Sequence, residues 1–176
     1  MEHAKLVLRC LLTVAGFGAL FGSVCALICP EVFTLGRPPS FGNLPVPVLG
    51  MIWGAIDFLI PGVMVGMGIG LAANVGYRPA VKAMFFRKPL WRHALLMAAT
   101  AAFAGLIGWF ATSEKLWEVA GKLASALPPE RHTVFGGVWW ATLGAHTANF
   151  AGGIALAIWT WKKRAEFEAM VNAKGK

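Results

Sequence analysis

The chain has 176 residues, 57% hydrophobic and 14% charged, with a formal net charge of +8. Soluble domains hold about 25% charged and about 45–50% apolar residues, so this composition argues against a water-soluble domain. Its 12 Phe and 8 Trp exclude disorder, because disordered chains are poor in large apolar side chains.

A helix that crosses a bilayer needs about 20 mostly apolar residues. Stretches at about 6–28, 48–75, 94–112 and 133–161 meet that requirement. They predict an all-α integral membrane protein, a four-helix transmembrane bundle in one domain over 1–176, with a cytoplasmic tail at 162–176. Past Arg9, the first, third and fourth stretches contain no Asp, Glu, Lys or Arg, and the second contains only Asp57. The first stretch reads as a retained helix. It is longer than the roughly 7–15 apolar residues of a signal peptide, and no A-x-A site follows.

The basic residues set the orientation. Lys5 and Arg9, then Arg78, Lys82, Arg87, Lys88 and Arg92, then Lys162, Lys163, Arg164, Lys174 and Lys176 place 12 of the 16 on one side. Both termini are therefore expected in the cytoplasm, with a bacterial inner membrane as the default compartment. The charge surplus serves topology and attraction to anionic lipid. A nucleic-acid partner is not expected, since no basic–aromatic binding module accompanies the charge. Trp53, Trp109, Trp139 and Trp140 fall near the outer interface, and Trp91, Trp159 and Trp161 near the inner one.

Of the connections, the first outer loop holds Pro30, Pro38, Pro39, Pro45 and Pro47 and predicts an extended, ordered cover without helix. The second, Glu114 to Leu127, reads as a short amphipathic surface helix capped by Ser113 and ended by Pro128–Pro129. The charges of the tail read as a solvated, fraying face.

Small residues recur at four-residue spacing: Gly50 and Gly54, then Gly62, Gly66 and Gly70 in the second span, and Gly137, Ala141, Ala145, Asn149, Gly153 and Ala157 in the fourth. Close backbone approach over such stripes packs helices in lipid. Gly54, Gly62, Gly66, Gly70 and Gly153 are expected to serve packing within the bundle, a homo-oligomer interface, or docking of a partner helix.

Asp57 lies about ten residues into its span, roughly 15 Å deep at 1.5 Å per residue. A carboxylate there costs about 2.5–3.5 kcal/mol on insertion scales, so it is expected to face a cavity or a partner. Pro61 follows at four residues and has no amide hydrogen, which frees the backbone carbonyl of Asp57. Oxygens gathered at a helix break hold protons or small cations in transporters. An acid hydrogen-bonded to a neighbouring helix is the plainer reading. On the fourth span Thr142, His146, Asn149 and Gly153 share one face, and His146 lies about as deep as Asp57. Such a pair can bind a proton, or simply make an interhelical hydrogen bond. Whether spans two and four touch is left open.

No nucleophile–base pair, metal-ligand cluster or phosphate-cradling loop stands at a convincing spacing, so no catalytic residue, cofactor or metal is expected. His93 and His146 differ in depth, which argues against a bis-histidine haem. Cys10, Cys25 and Cys29 read as small apolar fillers. Two functions follow. One is a transport-type protein, moving a proton, cation or small solute as an oligomer and using Asp57, Pro61, His146, Asn149 and Thr142. The other is a non-catalytic accessory or assembly subunit of a larger membrane complex.

Overall fold

A computed structural model describes residues 2–38, 41 and 44–174. Pro39 of the first loop and Lys176 of the tail lie outside the described residues. The described chain is all-helical: α1 (Glu2–Ile28), α2 (Glu31–Thr34), α3 (Val46–Asn74), α4 (Arg87–Ser113), α5 (Gly121–Ala126) and α6 (His132–Lys174). Short 3-10 turns at Ala83–Phe86 and Pro129–Arg131 lead into α4 and α6. By length and composition, His3–Ile28, Val46–Asn74 and Ala83–Ser113 are apolar enough to cross a membrane. The fourth expected span is helical throughout, but Thr142, His146, Thr147, Asn149 and its glycines dilute its apolar content.

The four long helices form two hairpins. α1 packs along α3, α4 packs along α6, and a contact between α3 and α6 joins the pairs; α1 and α4 meet only sparsely. α3 and α6 are thus direct neighbours. The core has three storeys. Val14, Phe58, Met97 and Ala145 fill the middle. Leu6, Ile69, Phe86 and Leu90 fill the end where the basic residues gather, called the basic end below. Cys25, Phe33, Leu127 and Phe135 fill the opposite, loop end. The mantle is apolar too, with Leu20, Ile60, Leu106 and Ile154 all more than 60% exposed. An apolar outside around a packed inside is what a lipid solvent permits.

Glycines hold the first hairpin together. Gly18 faces Gly54 and Gly22 faces Gly50 so closely that a Cβ on any of them would overlap the opposite backbone or side chain. Further along, Gly62 meets Val14, Gly66 meets Cys10 and Val7, and Gly70 meets the His3 ring. Gly153 of α6 meets Val65 of α3, and Gly144 meets Ala104 and Thr100 of α4.

The connections depart from expectation. Pro30 opens a one-turn helix, α2, inside the loop expected to be wholly extended. Proline suits a helix start, where its missing amide costs nothing. Pro45 and Pro47 likewise begin α3, at Val46. The expected surface helix over Glu114–Leu127 shrinks to Gly121–Ala126, because Lys115 (φ 57°) and Gly121 (φ 68°) turn the chain out of right-handed helix. The Ser113 hydroxyl does not cap that helix; it donates to Phe110 O at 2.8 Å.

The tail also differs. α6 continues as helix to Lys174, and Arg164 is fully buried instead of solvated. Its guanidinium donates to Ala72 O and Val75 O at the end of α3 and to Arg78 O and Pro79 O just beyond, at 2.5–2.9 Å. These include carbonyls a helix end leaves without amide partners, where the dipole also favours a cation. Arg78 stands over the Trp161 ring at 4.6 Å and pairs with Glu168 at 3.2 Å, completing the clamp.

Two predictions follow. Gly54→Ala is expected to destabilise by about 1–3 kcal/mol, whereas Gly68→Ala, whose Cβ would meet nothing within 4 Å, is neutral or slightly stabilising. Detergent-titration unfolding of both variants compares them directly, and equal effects would remove the α1–α3 contact from the account. Arg164→Ala is expected to cost roughly 3 kcal/mol, with Arg164→Lys intermediate because lysine cannot span all four carbonyls; the same titration reads this series.

Candidate functional site

Asp57 sits on α3 at the edge of a cavity of about 400 Å³ between the loop end of the bundle and the first loop. Arg37, carried by the loop after α2, reaches back and donates to its carboxylate. The guanidinium also stands 5.2 Å from the centroid of Trp53, one helical turn before Asp57. Neither partner is sealed: the Asp57 side chain is 21% exposed and that of Arg37 28%. Phe33, Trp139 and Thr142 complete the wall facing them, and Phe58 of the central core closes the inner side.

A second ion pair holds that loop in place. Arg131, at the entry to α6, grips Glu31 with two nitrogens at 2.9 and 3.0 Å and donates to Ile28 O at 3.1 Å. The Cys29 thiol donates to the same carboxylate at 3.2 Å. The Arg131 hydrogen bonds hold the Glu31 carboxyl down at about 2. Burial first, then the neighbouring carboxylate, pushes the Cys29 thiol up to about 11, so it stays protonated and unreactive at neutral pH.

Behind Phe58 lies His146. Its ring stacks on Phe58 with centroids 4.2 Å apart and planes at 27°. Its Nδ1–H donates to Thr142 O at 2.9 Å, one turn back along α6, which leaves Nε2 as the proton-accepting nitrogen of the neutral ring. Asp57 and His146 therefore stand at adjacent levels, but no hydrogen bond joins them among the described residues. The Thr142 hydroxyl is turned to Val138 O at 3.0 Å.

Asn149 is fully buried one turn further along α6 and pairs with His93 of α4. The His93 Nε2–H donates to Asn149 Oδ1 at 3.1 Å. Gly152 makes room for the imidazole: a Cβ there would stand 2.5 Å from His93 Nδ1. The Nδ1 atom of His93 and the amide nitrogen of Asn149 are both buried with no hydrogen-bond partner. Buried polar atoms left unpaired cost about 1–3 kcal/mol each, and the adjoining cavity has room for a partner to His93. Beside His93, between α4 and α6, a second cavity of about 340 Å³ takes in Arg92, Gly152 and Trp159.

The polar stripe read from α6 thus divides. Thr142 shares the Asp57 cavity, His146 follows behind Phe58, and Asn149 turns to α4. Pro61 is buried one turn beyond Asp57, and α3 runs through it without interruption. Gly54, Gly62, Gly66, Gly70 and Gly153 all face helices of this chain. Sequence reasoning missed Arg37 and His93. Arg37 is brought in by the fold of a loop, which leaves no periodic signal. His93 was legible in principle: Arg87 starts α4, which places His93 in its second turn with Leu90 and Met97 on the same buried face. Among the described residues, no group of three or more His, Cys, Asp or Glu is gathered to hold a metal ion. Comparison with protein families, curated proteins and solved structures finds no match for this chain.

The Glu31–Arg131 latch predicts a pH dependence. Glu31 is held below its ordinary 4.5, at about 2, so the stability it contributes is complete above about pH 4.5 and is lost as pH falls toward 2. Thermal unfolding in detergent should therefore weaken across that window, and Arg131→Gln should flatten the fall; an unchanged slope in the variant would assign the acid sensitivity elsewhere.

Proposed function

We propose that this chain is a four-span membrane protein with both termini in the cytoplasm, and that it moves protons or a small monovalent cation across the bilayer. The asymmetry of its basic residues supports the orientation. The exposed Leu143, Phe150, Ile154 and Ile158 along α6 support its inclusion as the fourth span.

The observation that carries the reading is a ladder of polar groups between two cavities. At the loop end stand Asp57 and Thr142; then come His146, Asn149 and His93; then the cavity beside Arg92. Along α6 the groups recur at four and three residues, about 4.5–6 Å apart along the axis. Two of them are imidazoles, each with one nitrogen that can donate a proton and one that can accept one, which suits stepwise proton exchange. Asp57 is the loop-side acceptor, and Arg37 is its resident counterion, which an arriving cation displaces. The bare Nδ1 of His93 accepts a proton at the far end of the ladder. Among the described residues no hydrogen bond joins Asp57 to His146 or His146 to Asn149, so both steps need a rotation of the imidazole or a bridging water.

The alternative is a non-catalytic accessory or assembly subunit of a larger membrane complex, and one of its supports, a surplus of small-residue stripes for a partner helix, is weakened. Those glycines pack against neighbouring helices of the same chain.

Reconstituted into liposomes with an internal pH dye, the protein should dissipate an imposed pH gradient. Asp57→Asn and His93→Phe should each slow this at least about tenfold while eluting as the parent does. Normal flux in both variants would sink the ladder, and a failure of Asp57→Asn to accumulate would make Asp57 a structural partner of Arg37.

A further inference from the structure

The sparse contact between α1 and α4 leaves a groove along the outside of the bundle, and its two ends differ in character. At the basic end a cavity of about 910 Å³ opens between the two helices, bordered by Arg9, Arg87, Lys88 and Arg92 with Trp91 beside them. None of these four cations has a carboxylate in salt-bridge distance among the described residues, whereas Arg37, Arg78, Arg131 and Lys163 all do. Toward the loop end the same helix pair borders a cavity of about 650 Å³ that is almost wholly apolar, walled by Phe17, Leu20, Ala98, Ala102 and Leu106. Leu12 and Thr13 of α1 line the inner side of the basic mouth, one turn before Phe17 of the apolar cavity.

Electrostatics make the mouth unfavourable as it stands. Arg87 and Lys88 occupy the first turn of α4, where the helix dipole is positive and no acidic residue offsets it. Like charges gathered at a positive helix end call for an anion. The groove behind them is too apolar for a hydrated ion alone. From the level of Arg9 to that of Leu20 is eleven residues on α1, about 16 Å, close to the depth of one leaflet's hydrocarbon. A basic mouth with an apolar groove of that depth matches one amphiphile, and Trp91 stands where interfacial aromatics sit at headgroup level.

We propose that the α1–α4 groove binds one anionic phospholipid of the leaflet at the basic end. Its phosphate is held by Arg9, Arg87, Lys88 and Arg92, and an acyl chain runs past Leu12 to Ala98 and Ala102. The assignment does not rest on proton movement, and Arg92 is the one residue it shares with the cavity at the end of the ladder.

The test uses the full chain purified in a neutral detergent. Thermal unfolding is followed in micelles doped with phosphatidylglycerol, with phosphatidylcholine, or with inorganic phosphate alone, and native mass spectrometry counts the lipid retained. Phosphatidylglycerol is expected to raise the melting temperature and to be retained at one per chain. Phosphatidylcholine and inorganic phosphate are expected to do neither. Arg9→Gln with Arg87→Gln should lower retention at least about tenfold. Ala102→Phe, which fills the apolar groove and leaves every charge in place, should lower it as well. Equal retention of phosphatidylcholine would overturn the proposal. So would full retention in both variants, or a shift produced by inorganic phosphate alone. A protein that runs as a dimer with the groove covered by a second copy would overturn it too. If the double glutamine variant fails to fold, the comparison of lipids on the parent and on Ala102→Phe still decides.

Discussion

Gly18 against Gly54 and Gly22 against Gly50 set how near α1 and α3 can come, and much of the loop-end architecture hangs on that distance. In lipid there is little hydrophobic force to press helices together, so close backbone contact must supply the attraction. With no side chain between them the two helices pack along their length. The described part of the following connection, α2 and Arg37, packs at the loop end of the bundle. The loop is tied down again where Arg131 grips Glu31. Only with both restraints does Arg37 lie within reach of a carboxylate 20 residues along the chain.

The second constraint is the polarity of α6. It touches α3 and α4 and also reaches α1 and α2, so it is the element around which the others gather. A helix that carries His146 and Asn149 is costly to leave facing lipid. Its partners are drawn from both hairpins: Phe58 of α3 covers the first imidazole, and His93 of α4 meets the amide. The pairing of Asn149 with His93 is incomplete, since each keeps one unpartnered atom.

Legibility in the sequence follows the physics of each feature. Long apolar runs with charged ends gave away the helices, because bilayer thickness fixes their length. Their ends were less legible. Arg87, Lys88 and Arg92 read as loop charges, yet they ride the first turns of α4, since a helix can carry long basic side chains out to an interface. Arg164 read as solvated because nothing in its neighbours announces four carbonyls waiting 85 to 92 residues upstream. Asp57 stood out because an acid among apolar residues is expensive. Arg37 did not, because a loop arginine is ordinary until the fold brings it to its partner. The adjacency of spans two and four depended on how two hairpins pack, which periodicity within one helix does not encode.

The buried Arg164 has a consequence for how the protein is made. The carbonyls of Ala72 and Val75 close α3, those of Arg78 and Pro79 follow just beyond it, and the guanidinium that donates to all four is synthesised long after they are. While the intervening chain is being translated, the α1–α3 hairpin can assemble on its glycines, yet its basic end stays open to water and headgroups. The four hydrogen bonds of Arg164 can form only once α6 has been made. The last helix is therefore the keystone of the bundle as well as its polar centre, and the early hairpin is a scaffold held in waiting for it.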